Sequence, residues 1–291
     1  MPKPVRNIGA SVRARLLNLA KQQNRPFQLL LTRFVLERLL YRLSLTMHRD
    51  YFVLKGAMLI TTWFANPHRP TRDIDFLGFR DPDPETMLSA FREIFAVKVE
   101  DGVEFDVAAL RIDQTREELE YGGLRVRTIA TVGGARVTVL IDIGFGDAVE
   151  PGLEEVVIPV LLDFPAPRLR AYARETVIAE KFQAMVKFGR ANSRMKDYYD
   201  IWVLSRTHEF AGDRLARAIA ATFARRRTEI PAEPPDALTE AFASDSVKLQ
   251  QWAEFASNIA LQPSSFAKVI DDLVSFLMPR AAEARVIKPL E

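Results

Sequence analysis

The chain has 291 residues, 48% of them apolar and 27% charged, with 40 Lys and Arg against 38 Asp and Glu. This is globular composition, long enough for one large domain or two ordinary ones, and a charge balance this close to neutral does not by itself mark a nucleic-acid binder. The absence of cysteine excludes disulfides, zinc thiolate sites and cysteine nucleophiles and fits a reducing cytoplasm, and the three histidines, His48, His68 and His208, stand apart without ligand spacing, so a zinc enzyme is not expected.

From about residue 10 to 48 the pattern is that of two amphipathic helices, with Val12, Leu16 and Leu19 and then Phe27, Leu31 and Phe34 at helical spacing. Lys3, Arg6, Arg13, Arg15, Lys21, Arg25 and Arg33 load this start with positive charge, and no acidic residue precedes Glu37. Transit peptides share that composition, but the periodicity favours folded helices with a basic outer face. The run "LLLTRFVLERLL" is interrupted by Arg33, Glu37 and Arg38, short of the roughly 20 apolar residues of a bilayer span, so a soluble protein without a membrane segment is expected.

In "YFVLKGAMLITTWF", Gly56 precedes an apolar helical pattern. Backbone N–H groups at a helix N-terminus there can meet a triphosphate, with Lys55 adding charge; a plain turn is the other reading. "RPTRDIDFLGF" follows, a strand in which Asp73 and Asp75 point to one face and Ile74 and Phe76 to the other. Carboxylates held that close repel, and each needs a cation.

Strands are expected over Ile74–Phe79, Val103–Ile112, Leu124–Val132, Ala135–Ile143 and Val156–Leu162. Gly133 and Gly134 lie between two β-rich runs and can take the positive φ angles of a tight hairpin turn. "VTVLIDIGFGD" places Asp142 inside an apolar run, where a lone carboxylate would cost several kcal/mol unless paired or metal-bound. With Asp73 and Asp75 it makes a hard, oxygen-rich set suited to Mg²⁺ or Mn²⁺, and a two-ion site of this kind can hold an attacking oxygen and a leaving pyrophosphate in line. The alternative is that Asp73 pairs with Arg69 or Arg72 and Asp142 merely ends a strand.

"DFPAPRLR" suggests a boundary, dividing residues 1–165 from a region over 166–291 that is helical from about Glu175 and interrupted by "EIPAEPPDA". "ETVIAEKFQAMVKFG" reads as a helix closed by Gly189, with Asn192 or Ser193 capping the next. On that next helix Asp197 and Asp200 share a face at i, i+3. Either one is a general base for an acceptor hydroxyl, or both orient Lys181 and Arg194. Tyr198, Tyr199 and Trp202 read as core packing before base stacking. Arg225, Arg226 and Arg227 form a second basic cluster.

The order of glycine turn, helix, Asp-x-Asp strand and a later strand bearing one more aspartate describes a nucleotidyltransferase core. Over about residues 10 to 206, "FVLKGAMLITTWF", "RPTRDIDFLGF", "VLIDIGFGD", "ETVIAEKFQAMVKFG" and "NSRMKDYYDIW" resemble the AbiEii/AbiGii nucleotidyltransferase toxins, the toxin half of a bacterial type IV toxin-antitoxin system. The resemblance implies an α+β fold: a mixed-sheet nucleotidyltransferase core of the DNA polymerase beta-like kind, N-terminal helices and a C-terminal helical region. Its glycine-turn motif falls on Gly56 and Ala57, with Ala57 standing where Gly or Ser is usual. Thr71 takes the place of a Ser or Thr near the nucleotide phosphates. The Asp-x-Asp motif matches Asp73 and Asp75, and the second-strand aspartate Asp142, as metal ligands. Lys181 is implied to contact the nucleotide's phosphates, and "KDxxD" falls on Lys196, Asp197 and Asp200, with Asp200 functional and Asp197 its support.

What the resemblance implies for activity is Mg²⁺-dependent transfer of a nucleoside monophosphate from an NTP to RNA, tRNA in particular, in the cytoplasm, blocking translation and growth. A cognate antitoxin encoded nearby is implied as partner. The two basic clusters would help hold the RNA backbone. Two further readings are the same chemistry on a small-molecule or protein hydroxyl, and a degenerate binding module whose Ala57 marks lost chemistry; retention of Asp73, Asp75, Asp142 and Lys181 argues against the latter.

Overall fold

A computed structural model describes residues 7–64, 69–79, 82–115, 122–257, 259 and 261–287. Lys3, Arg6 and His68 lie outside them. The chain divides into two compact units, Met1–Gly146 with Glu155–Ala171 and Asp147–Glu154 with Tyr172–Glu291. The division expected at residue 165 stands at 171, and the segment Asp147–Glu154 also joins the second unit.

The first unit opens with α1 (Ile8–Gln22) and α2 (Phe27–Ser44), followed by β1 (Phe52–Lys55), α3 (Gly56–Ile60), β2 (Ile74–Gly78) and α4 (Pro84–Ala96). Then come β3 (Val103–Phe105), β4 (Arg111–Thr115), β5 (Gly123–Val132), β6 (Ala135–Phe145), β7 (Leu153–Val157) and β8 (Arg168–Tyr172). Among the described residues the strands form one eight-stranded sheet in the order β3-β5-β6-β2-β1-β8-β7, with β4 pairing β5 beside β3. The sheet is mixed: β2 runs parallel to β6 and β1 to β8, while β1–β2 and β5–β6 are antiparallel. This is the α+β mixed-sheet architecture the sequence suggests.

The β5–β6 hairpin turns at Gly133 and Gly134, with φ of +51° and +80°, as expected for a two-residue turn. Alternation then sets its faces: Leu124, Val126, Ala130 and Val132 of β5, and Val137, Val139, Ile141 and Ile143 of β6, are buried. α2 packs on β6 and is buried nearly all round, including Glu37, Arg38 and Arg42. The charges that keep "LLLTRFVLERLL" out of a membrane are thus inside the protein. Arg38 Nε and Arg42 Nη1 both donate to Asp101 Oδ2, at 3.0 and 2.7 Å, and Glu37 accepts from Arg33 Nε at 2.8 Å and from the Leu161 amide at 2.9 Å. Burial pushes the Glu37 carboxyl up to about 7 despite Arg33. Among the described residues no helix is long and apolar enough to cross a membrane.

Several strand expectations need correction. The run over Val103–Ile112 is two strands, because the Asp106 side chain accepts from the Ala109 amide at 3.0 Å and turns the chain over Val107–Ala109. The expected Val156–Leu162 strand ends at Val157: Pro159 has no N–H to give, and the Leu161 amide goes to Glu37. One strand, β8, lies beyond the last one expected and beyond the expected boundary. β8 pairs in parallel with β1, Ala171 opposite Leu54, so tertiary pairing overrides the proline signals just before it. β1 was itself too short a run, ending at a glycine, to register as a strand.

The second unit is helical: α5 (Arg174–Phe188), α6 (Met195–Thr207), α7 (Gly212–Arg225), α8 (Glu240–Ala243), α9 (Ser246–Ala256) and α10 (Phe266–Val286). α7 packs against α5 and α10, and α10 also against α6. Tyr198 and Tyr199 are buried in its core, Tyr198 stacked on Phe242 with ring centroids 5.7 Å apart, as the packing reading has it. Gly189 closes α5 with φ +47°. The next helix is capped differently from expectation: its N-cap is Arg194, and Asn192 Oδ1 accepts from the Arg194 amide at 2.8 Å.

Candidate active site

β2 puts Ile74 and Phe76 into the core and leaves Asp75 half-buried on the opposite face, as the alternation predicts. Register then aligns four charged side chains on that face: Lys55 of β1 is opposite Asp75, Asp75 opposite Asp142 of β6, and Asp142 opposite Arg125 of β5. The result is a transverse row of cation, anion, anion, cation across four adjacent strands. Asp73 lies just before β2, and Thr71 Oγ1 donates to its main-chain oxygen at 3.2 Å, with Asp73 Oδ1 at 3.4 Å.

Asp142 does not end its strand, which runs on to Phe145. It is held by Arg125, whose Nε donates to Oδ1 at 2.6 Å and Nη2 to Oδ2 at 2.8 Å, a bidentate fork. Reasoning from the sequence missed Arg125. The signal was present: a two-residue turn at Gly133–Gly134 fixes the hairpin register, and counting back from it sets residue 125 against 142.

Gly56 begins α3 with φ +69°. A Cβ there would stand 2.5 Å from Asp75 Cγ and 2.8 Å from its Cβ, overlapping the carboxylate. This glycine makes room for Asp75, a role beyond a generic turn. α3 is only a five-residue helix extended by a 3₁₀ turn over Thr61–Trp63, and Ala57 sits half-buried within it.

In the second unit, Lys181 of α5 reaches two carboxylates of α6, Asp197 Oδ1 at 2.5 Å and Asp200 Oδ2 at 2.9 Å. Arg194 Nε donates to Asp197 Oδ2 at 2.7 Å. Burial works to raise Asp197, but the Lys181 ammonium and then Arg194 outweigh it and hold the carboxyl below its usual range. Both carboxylates thus contact Lys181, and Asp197 also takes Arg194. Arg226 is not part of an exposed basic cluster: it donates to Asp147 Oδ1 at 3.0 Å and pairs with Glu180 at 3.1 Å. At the N-terminus, Arg33 is likewise taken by Glu37, and Arg15 by Asp163.

Among the described residues no group of three carboxylate or imidazole side chains stands arranged to hold a metal ion. The chemistry of the row still suits Mg²⁺, which is commonly bound by one or two carboxylates with substrate phosphates and water completing its shell. Asp75 and Asp142, register neighbours, are such a pair, with Asp73 two residues upstream.

The family model described as nucleotidyl transferase AbiEii toxin, type IV toxin-antitoxin system, matches residues 38–275. The chain belongs to the AbiEii nucleotidyltransferase toxin family. Among solved structures, the nucleotidyltransferase toxin MenT4 of Mycobacterium tuberculosis H37Rv superimposes with a TM-score of 0.62 at 18% identity, covering 95% of this chain and 90% of MenT4. A putative nucleotidyltransferase from Helicobacter pylori gives 0.51 at 15% identity over 90% of this chain and 99% of its own. JHP933, also from Helicobacter pylori, gives 0.52 at 15% over 89% and 94%. No curated protein matches the chain in sequence. This AbiEii-family toxin is a nucleotidyltransferase, which uses an NTP, and its toxin-antitoxin family implies a cognate antitoxin.

Proposed function

We propose that the enzyme transfers a nucleoside monophosphate from an NTP to RNA, with tRNA as acceptor, and so blocks translation and growth until its antitoxin counters it. The observation that carries this reading is the juxtaposition of Asp75 and Asp142 on adjacent parallel strands, with Gly56 opening the space beside Asp75. In the reaction the acceptor hydroxyl oxygen bonds to the α-phosphorus, the α–β anhydride bond breaks, and pyrophosphate and the hydroxyl proton leave. Asp75 and Asp142 would hold Mg²⁺ or Mn²⁺, which when bound supplies neutralisation of the phosphoryl charge, with substrate phosphates and water completing its shell. Gly56, with Ala57 next in sequence, lies against Asp75, Thr71 lies against Asp73, and Lys55 flanks Asp75 with positive charge. On this reading the activity is cytoplasmic, where tRNA and NTPs are found together.

The test is incubation of the protein with Mg²⁺, each of four α-labelled NTPs in turn, and total bacterial RNA, with Asp75→Asn as control. Label on a tRNA-sized band, lost in the control, is the expected result. Pyrophosphate release only when metabolites or proteins are added would move the acceptor to a small-molecule or protein hydroxyl, and no turnover in any mixture would overturn the transferase assignment of the row.

A further inference from the structure

The outward face of β4 and β5 carries positive charge that folding does not ask for. On β5, Leu124, Val126 and Thr128 go to the core while Arg125, Arg127 and Ile129 face out. Arg111 of β4 stands directly opposite Arg127, and both are exposed. Like charges facing each other across an antiparallel pair destabilise it. Protection of a sheet edge accounts for Arg111, because β4 is an edge strand, but not for Arg127, one strand further in. Arg111 Nη1 donates to the carbonyls of Ala108 and Leu110 at 2.9 and 2.7 Å, and among the described residues Arg127 has no ion pair. The nearby acids are placed elsewhere: Asp142 is held by Arg125, and Asp113 faces Arg125, not Arg127.

We propose that Arg111 and Arg127 form a track for the phosphate backbone of the acceptor RNA, beginning beside the carboxylate row. Arg127 is two residues along β5 from Arg125, about 7 Å at strand rise, so a strand bound there runs directly past Asp142. Guanidinium forks suit phosphate oxygens, and contacts of this kind fix the position of a backbone without reading its sequence. The proposal rests on RNA being the acceptor, and it puts the acceptor contact on the sheet face of the first unit and not on the Arg225–Arg227 segment.

Fluorescence anisotropy of labelled tRNA over a salt series, with the full chain and no nucleotide, tests it. The Arg111→Ala, Arg127→Ala double variant is expected to bind roughly tenfold more weakly, with the slope of log K against log salt reduced by roughly 1.4 for two lost contacts to a single strand. Its affinity for NTP should be unchanged and its melting temperature equal to wild type or higher, since the like-charge pair is gone; Arg111→Lys with Arg127→Lys should restore the salt slope. An unchanged RNA affinity, or weaker binding with an unchanged slope, overturns the track. If the wild-type protein binds no RNA yet labels a protein or metabolite, the acceptor reading itself fails and the track with it.

Discussion

Arg125 and Asp142 face each other across β5 and β6, and the guanidinium takes both carboxylate oxygens. The two side chains are 40% and 27% exposed, so the pair contributes within about 1 kcal/mol to stability. Its importance lies in position: Asp142 is the register neighbour of Asp75, and an internal cation occupies the carboxylate that the proposed site needs.

Arg125→Gln is therefore expected to leave stability within about 1 kcal/mol of wild type while tightening Mn²⁺ binding roughly tenfold, as a guanidinium no longer competes for Asp142. Calorimetric titration of the nucleotide-free protein with Mn²⁺ reads this directly. Equal affinities would show that the metal does not use Asp142.

Gly56→Ala should be far more damaging than its size suggests. The left-handed backbone costs an L-residue about 1–2 kcal/mol, and the new Cβ must displace the Asp75 carboxylate. The expected outcome is loss of nucleotide transfer by more than about 100-fold with a stability loss of about 1–3 kcal/mol, whereas Ala57→Gly stays within about 1 kcal/mol and keeps activity. Urea denaturation alongside the labelled-NTP assay separates the two; wild-type activity in Gly56→Ala would show that Asp75 can move without consequence.

Much of this arrangement was readable from residue order. Period-two alternation put Ile74 and Phe76 inward and Asp75 outward, and the Gly133–Gly134 turn gave the hairpin. What escaped was whatever depends on long-range pairing. β1 and β8 are short runs that become strands only through each other and β2, and the boundary signal of "DFPAPRLR" hid β8. Arg226 looked like part of a solvated basic run because its partners, Asp147 and Glu180, are remote in sequence. Glu37 and Arg38 showed in the sequence only as breaks in an apolar run, because Asp101, which gathers Arg38 and Arg42, lies far along the chain, Arg42 to Asp101 being 59 residues apart.

Lys181→Met should unfold more readily in acid than wild type. It removes the cation shared by Asp197 and Asp200, both nearly inaccessible, and breaking a buried pair in this way costs about 3–5 kcal/mol. Asp197 has a folded-state pKa below its unfolded one, so its stabilisation is complete above the usual carboxylate range and is lost as pH falls through the folded value. Without Lys181 the folded value rises, and the circular-dichroism transition should move to higher pH. A transition at the wild-type pH would mean that Arg194 alone holds Asp197 ionised.

Glu37 gives the opposite sign. Its carboxyl titrates near 7 in the folded chain against an ordinary 4.5, so between those values the native state keeps a proton that the unfolded state has lost. Each unit of rising pH in that window removes up to about 1.4 kcal/mol of stability, after which the penalty is constant. Glu37→Gln has no such proton, and its amide can still accept from Arg33 or the Leu161 amide. The wild type should thus lose ground to Glu37→Gln between pH 4.5 and about 7, with the difference flat on either side, as measured by urea denaturation at closely spaced pH. A difference that does not change with pH would mean that Arg33 and the Leu161 N–H keep Glu37 ionised throughout, and that hydrogen bonding outweighs burial at the centre of α2.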